Sequence, residues 1–141
     1  MTAFERGQFQ QAIDLFSSAI GQNESVPLAL SKRGVCRLRL GDREGARGDF
    51  EAALGADQRC TSAIVNLGNL ALEAGLLDAA HAHYEQALRI DETYSFAHYN
   101  LGVLLRKRGD LSGSVRELRL AAKYEARLEA AKKRLAFWKR R

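Results

Sequence analysis

The chain of 141 residues is 46% hydrophobic and 28% charged, values typical of one globular domain that exclude a disordered or mainly charged chain. Its single proline and its lack of long β-branched runs favour helices. The net charge of +5 suggests a polyanionic partner, but it divides into 0 over residues 1–60, −4 over residues 61–100 and +9 over residues 101–141.

The sequence repeats itself with a period of 34 residues. Glycines recur in two series, which are Gly34, Gly68 and Gly102, and Gly7, Gly41, Gly75 and Gly109. Small residues recur at Ala12, Ala46, Ala80 and Ser114, and again at Ala19, Ala53, Ala87 and Ala121. Large residues lie between them at Phe16, Phe50, Tyr84 and Leu118. Five columns that stay in register over nearly the whole chain indicate a repeat array.

The first predicted repeat is partial and spans residues 1–26. Residues 1–6 are interpreted as the end of a first helix, and residues 7–22 or so as the second helix. A truncated unit exposes the face that its missing partner would cover. We therefore expect either that the chain is cut from a longer array, or that another chain or a bound segment covers this end.

Three full repeats of two helices each are predicted at 27–60, 61–94 and 95–128. In the middle repeat, apolar residues recur at spacings of three and four, and Gly75 supplies the left-handed residue that ends the first helix. Asp78 is predicted to cap the second helix. Gly68 and Ala80 allow two helices to approach closely, while Tyr84 fills the space beside them.

A basic amphipathic helix is predicted at residues 129–141, because apolar residues recur at spacings of three and four from Leu128 to Trp138. Its other side carries Arg127, Lys132, Lys133 and Arg134, followed by Lys139, Arg140 and Arg141. The favoured interpretation is a helix that caps the array by covering the last repeat, with a solvated polar face. Attachment to nucleic acid or anionic lipid is the less favoured alternative, since no ladder of exposed aromatic residues accompanies the charges.

The repeats resemble those of the tetratricopeptide family over residues 1–128 or so. The matching motifs are Asn66-Leu-Gly-Asn69, Asn100-Leu-Gly102, Gly75…Ala80…Tyr84…Ala87-Leu88 and Gly41-Asp42…Ala46…Phe50…Ala53-Leu54. The sequence departs from the family in having no proline after Asp57 or Asp91, and in having His98 where a large aromatic residue is usual. The resemblance implies an all-α, right-handed α-solenoid of stacked helix-turn-helix repeats that binds a partner protein without catalysing a reaction.

The resemblance also implies a concave face lined by the first helix of each repeat, which would bind an extended peptide or a helix. The candidate peptide-binding residues are Lys32, Val65, Asn66, Asn69, Phe96, Tyr99, Asn100, Val103, Arg106 and Lys107. Asn66 and Asn100 lie one repeat apart, and their amides can bond a peptide backbone. Equally, they can bond neighbouring helix carbonyls and so fix the repeat geometry. Phe96 and Tyr99 would contribute apolar contacts.

The sequence contains no catalytic or metal-binding motif. His81 and His83 lie two residues apart on a predicted helix and so face different directions, and there is no P-loop, GxSxG, HExxH or CxxC motif. The lysine and arginine clamp with which some repeats of this family hold a terminal carboxylate is absent, since Phe96 and Asn100 occupy two of its columns. We therefore predict no enzymatic activity, no cofactor and no small-molecule substrate.

Two predictions concern the protein's surroundings. Cys36 and Cys60 are isolated, and no apolar run approaches the roughly 18 residues that span a bilayer, so a cytoplasmic protein with two neutral thiols is expected. A disulfide between Cys36 and Cys60 is the less favoured alternative. The same features would fit a processed secreted form or a fragment of a longer chain. The alternative to peptide binding is self-assembly into a homo-oligomer through the partial first repeat and the C-terminal helix.

Overall fold

The computed structural model describes residues 1–140, and Arg141 of the predicted basic helix lies outside them. Residues 1–140 form seven α-helices and no β-strand: α1 (Ala3–Gly21), α2 (Val26–Arg39), α3 (Arg43–Ala56), α4 (Thr61–Glu73), α5 (Leu77–Ile90), α6 (Ser95–Lys107) and α7 (Leu111–Lys139). The helices α2, α4 and α6 begin at Val26, Thr61 and Ser95, against predicted repeat starts of 27, 61 and 95. None of the seven helices is both long and apolar enough to cross a membrane.

A glycine in the left-handed conformation follows the first helix of each full repeat. The φ angles are 86°, 79° and 83° at Gly41, Gly75 and Gly109. At two of these turns the next residue caps the following helix, because the Oδ1 atoms of Asp42 and Asp110 accept hydrogen bonds at 2.9 Å from the N–H groups of Gly45 and Gly113. These turns reverse the chain, so that successive helices can pack side by side.

The prediction that Asp78 caps α5 is wrong. The capping position is the residue directly after the turn glycine, and in the middle repeat this residue is Leu76, whose side chain cannot accept a hydrogen bond. Asp78 lies in the first turn of α5 and forms an ion pair with Arg108.

The structure divides the chain into two compact units where the sequence predicts one domain, and the boundary after Leu70 falls inside α4. In the first unit, Met1–Leu70, α1 packs against α2 and α2 packs against α3. Its core contains Leu30, Ala46, Phe50, Ala53, Ala63 and Leu70. A Cβ atom on Gly34 would lie 2.5 Å from Cε1 of Phe50, so only glycine permits this approach of α2 to α3.

A buried carboxylate also joins α2 to α3 in the first unit. Arg33 donates to both carboxylate oxygens of Asp49, from Nη2 to Oδ1 at 2.7 Å and from Nε to Oδ2 at 3.0 Å. Arg37 donates to Oδ1 at 2.9 Å, and Nη1 of Arg33 reaches Oγ of Ser17 on α1 at 3.1 Å. The hydrogen bond to Asp49 raises the pKa of Arg33. This network therefore links three helices.

The predicted boundary between a first and a second helix at residues 6–7 is wrong, because α1 is continuous from Ala3 to Gly21. A capping box starts the helix: the N–H of Glu5 donates to Oγ1 of Thr2 at 3.2 Å, and the N–H of Thr2 donates to Oε2 of Glu5 at 2.8 Å. Unlike Gly41, Gly75 and Gly109, Gly7 does not adopt a positive φ angle, so the helix continues through it.

In the second unit, which begins at Ala71, α5 packs against α6 and α6 packs against α7. Its buried apolar residues are Ala80, Tyr84, Ala87, Ala97, Leu101, Leu104 and Ala121. Gly102 repeats the role of Gly34, since a Cβ atom there would lie 2.9 Å from Cδ2 of Leu118. Burial, together with the negative charge of Glu73, raises the pKa of Tyr84. Within each unit a glycine of one helix thus packs closely against a large residue of the next helix, Gly34 against Phe50 and Gly102 against Leu118.

The predicted capping role of residues 129–141 is wrong for the part that the structure describes. These residues continue α7 without a turn, since no glycine or proline follows Gly113. In residues 129–140 every side chain except the half-buried Ala131 is exposed. The amphipathic segment is helical as predicted, but it extends away from the last repeat and does not cover it.

Candidate peptide-binding site

Asn66 and Asn100 make the same hydrogen bond one repeat apart. Nδ2 of Asn66 donates to the carbonyl oxygen of Ser62 at 2.8 Å, and Nδ2 of Asn100 donates to that of Phe96 at 2.9 Å. Each acceptor lies four residues earlier in the same helix, so the bond fixes the amide against its own backbone. Within residues 1–140, Oδ1 of each side chain has no hydrogen-bond partner and can accept one from a ligand.

The predicted residues of the first unit do not form one exposed surface. Val65 is only 3% exposed, so its assignment to a ligand-binding surface is wrong. Its shorter side chain does not reach solvent as Tyr99 does in the equivalent position of the next repeat. Asn69 is half-buried. Lys32 is exposed and borders a pocket of about 180 Å³ that is lined by Phe16, Ala19, Glu24, Ser25, Leu28 and Ala29.

The predicted residues of the second unit lie together along α6. Phe96 and Tyr99 are 63% and 55% exposed, and Asn100 and Val103 are half-buried beside them. Because residues three and four apart share one side of a helix, these four side chains form a continuous strip that ends in two exposed cations. We call this strip the α6 face, and it comprises Phe96, Tyr99, Asn100, Val103, Arg106 and Lys107.

A pocket of about 320 Å³ adjoins the α6 face at Phe96. It is lined by Asp91, Thr93, Tyr94, Ser95, Phe96, Tyr124, Arg127 and Leu128. The Tyr94 ring meets the Phe96 ring edge to face at 5.7 Å, and the Arg127 guanidinium lies 5.6 Å from the centre of the Tyr124 ring. Tyr94 and Tyr124 were not predicted as site residues, because they come from a loop and a second helix outside the repeat column of Asn66.

A buried histidine holds the start of α6 against α7. Nδ1 of His98 lies 2.7 Å from Oε2 of Glu117, and Nε2 lies 2.7 Å from the carbonyl oxygen of Glu92. The imidazole also stacks on the Tyr124 ring at 5.5 Å. Because a carbonyl oxygen can only accept, Nε2 is the donor in the bond to Glu92. These contacts position the α6 turn that carries Phe96.

Glu117 and Asp49 occupy the same column of the repeat, two periods apart. Both are buried, and each bonds a basic side chain of the preceding helix. His83 occupies this column in the middle repeat, where burial lowers its pKa. A sequence signal for these buried acids does exist, since Asp49 lies three residues after Ala46 and four before Ala53 on the apolar side of α3.

Two family models match the sequence. One, described as tetratricopeptide repeat, covers residues 1–59, and the other, described as TPR repeat, covers residues 68–109. Together they cover most of the chain. The chain belongs to the tetratricopeptide-repeat (TPR) family.

Several solved structures have a similar fold. MamA is similar with a TM-score of 0.67 and 18% identity, over 88% of this chain and 72% of that chain. MamA from Desulfovibrio magneticus RS-1, from residue 41 to its end, has a TM-score of 0.64 and 18% identity, over 85% of this chain and 68% of that chain. A thermophilic TPR protein of Thermus thermophilus has a TM-score of 0.68 and 23% identity, over 85% of this chain and 68% of that chain. At these identities the likeness concerns the fold alone, and it confirms the predicted all-α helical-repeat solenoid class.

No curated protein sequence matches this TPR protein. TPR repeats generally mediate protein–protein interaction, and proteins of this fold are typically non-catalytic modules. Within residues 1–140, no group of three or more His, Cys, Asp or Glu side chains could hold a metal ion. Both cysteines are free, and burial raises the pKa of the Cys36 thiol, which makes it a weaker nucleophile near neutral pH.

Proposed function

We propose that this TPR protein binds an extended peptide segment of a partner protein on the α6 face. The observation that carries the proposal is the exposure of two neighbouring aromatic side chains, Phe96 and Tyr99, on one side of one helix. Exposed aromatic residues rimmed by polar groups are typical of protein interaction surfaces, and they commonly supply much of the binding energy.

The chemistry of the α6 face favours a peptide with apolar and acidic side chains. The pocket beside Phe96 offers room for an apolar side chain, and Arg127 at its wall can pair with a carboxylate. Arg106 and Lys107 extend the positive charge along α6. Oδ1 of Asn100 can accept a hydrogen bond from a peptide N–H group without regard to the peptide's sequence.

Replacing both Phe96 and Tyr99 by alanine should weaken peptide binding about 10- to 30-fold, the loss expected of about 1.5–2 kcal/mol of contact energy. A peptide for this measurement can be selected on the full chain from a displayed library of random peptides. Its affinity for each variant is then measured by fluorescence anisotropy. The matched control is Phe4→Ala, which removes an exposed aromatic side chain from α1. Equal losses in the two variants, or none in the double variant, would contradict the assignment.

Self-assembly is a second candidate function, and the observation that favours it is the exposure of Phe4 and Leu15 on α1. A monomer whose mass in light scattering is independent of concentration would exclude it.

A cytoplasmic location and the absence of catalytic activity stay predictions.

A further inference from the structure

The C-terminal part of α7 carries an apolar strip that nothing in the described chain covers. We call residues 127–140 the α7 extension. Within it Leu128, Ala131, Leu135 and Trp138 follow at spacings of three and four, so they lie on one side of the helix. Leu135 and Trp138 are 62% and 68% exposed. The strip therefore leaves large apolar side chains in water.

Positive charge borders this strip on both sides. The basic residues of the α7 extension are Arg127, Lys132, Lys133, Arg134, Lys139 and Arg140, against the single acidic residue Glu129. Arg127 and Arg134 directly precede the two leucines and lie along one border of the strip. Lys132 and Lys139 directly follow Ala131 and Trp138 and lie along the other border. Any surface that buries the strip must also accept cations on both of its sides.

A second copy of this chain does not meet that requirement. If two extensions paired along their strips, the residues that border the seam would be arginine and lysine on both helices, and like charges would face each other. Even when Tyr124 is added at its N-terminal end, the strip reaches only to Trp138 and so spans two heptads. Two heptads are too few for a coiled coil with another helix. Nucleic acid would accept the cations but would leave Leu135 and Trp138 exposed.

We propose that the α7 extension binds the surface of membranes that contain anionic phospholipids. The helix lies in the plane of the interface, with Leu128, Leu135 and Trp138 inserted at the boundary between headgroups and acyl chains. Lysine and arginine side chains on both borders reach the phosphate and carboxylate groups of the lipids. Tryptophan suits this depth because its ring is apolar while its N–H group can still be hydrated. This surface meets the pocket beside the α6 face only at Arg127 and Leu128, and the proposal does not depend on the function proposed for that face.

Cosedimentation of the full chain with lipid vesicles tests the proposal. Vesicles of phosphatidylcholine and phosphatidylserine should bind the chain about tenfold more strongly than vesicles of phosphatidylcholine alone, and added salt should weaken that binding. Leu135→Ser combined with Trp138→Ser should lower the partition coefficient about tenfold. Because both side chains are exposed, circular dichroism and melting temperature should stay close to those of the parent chain.

A charge-matched pair of variants separates a local site from net charge. Lys132→Glu, Lys133→Glu and Arg134→Glu together should abolish binding to the anionic vesicles. The control changes three exposed basic residues of the first unit, with Arg6→Glu, Arg47→Glu and Arg59→Glu, and should retain most of the binding. Equal loss in the two triple variants would overturn the proposal. Full binding by the Leu135 and Trp138 double variant, or equal binding to both kinds of vesicle, would overturn it as well.

Discussion

Replacing Asp49 by alanine should lower the free energy of unfolding by about 3 kcal/mol, as expected when one partner of a buried ion pair is removed. The carboxylate accepts three hydrogen bonds from Arg33 and Arg37, and its loss leaves two guanidinium groups without their acceptor. We expect a loss of stability at the lower end of the range for buried ion pairs, because the side chains of Arg33 and Arg37 are still 18% and 29% exposed to solvent. Chemical denaturation of the full chain measures the change.

The control for this substitution is Glu51→Ala, which removes an exposed acidic residue two positions further along α3. We expect its effect to stay within about 0.5 kcal/mol, as is usual for surface substitutions. If the Asp49 variant is no less stable than the Glu51 variant, the ion network does not hold α2 against α3.

Replacing Phe50 by alanine should cost about 3–5 kcal/mol, because its ring is fully buried between α2 and α3. The cavity left by the ring would border Gly34, whose lack of a side chain leaves little to fill the space. Thermal and chemical denaturation of the full chain, followed by circular dichroism, give this value. A loss below about 1 kcal/mol would contradict the packing described for the first unit.

Two glycine substitutions test the close approach of α2 to α3 by adding a side chain where the Phe50 substitution removes one. Gly34→Ala places a methyl group against the Phe50 ring and should destabilise the fold by about 1–3 kcal/mol. Gly55→Ala is the control, since nothing lies within 4 Å of its new Cβ atom and the gain in helix propensity should stabilise by up to about 1 kcal/mol. Similar effects of the two substitutions would be inconsistent with a steric role for Gly34.

The repeat period allowed much of the fold to be predicted, because residues that recur at this period take the same structural position in each repeat. The glycine columns marked the helix ends at Gly41, Gly75 and Gly109 and the close approaches at Gly34 and Gly102. The period does not decide whether a turn forms at a given copy of the repeat. Gly7 keeps helical backbone angles and α1 continues through it, whereas the sequence alone suggested a boundary there.

The polar contacts of the two units could not be predicted in the same way. Asp49 and Glu117 look like solvated helix residues until their column is compared with the buried small residues around them. Even then, the period does not say which base reaches each acid, since Arg33 lies 16 residues before Asp49 and His98 lies 19 before Glu117. For the candidate site, column position selected α6 residues that lie on one side of the helix. It also selected the buried Val65, because a column does not specify how far a side chain reaches.

The proposed peptide site can be tested most directly by mapping amide chemical shifts of the isotope-labelled full chain during titration with the library-selected peptide. We expect the largest changes along α6 from Phe96 to Lys107, with smaller changes at Tyr124 and Arg127 beside the adjoining pocket. Changes centred on α1 or on residues 129–140 of α7, with α6 unaffected at saturation, would contradict the α6 face as the binding site.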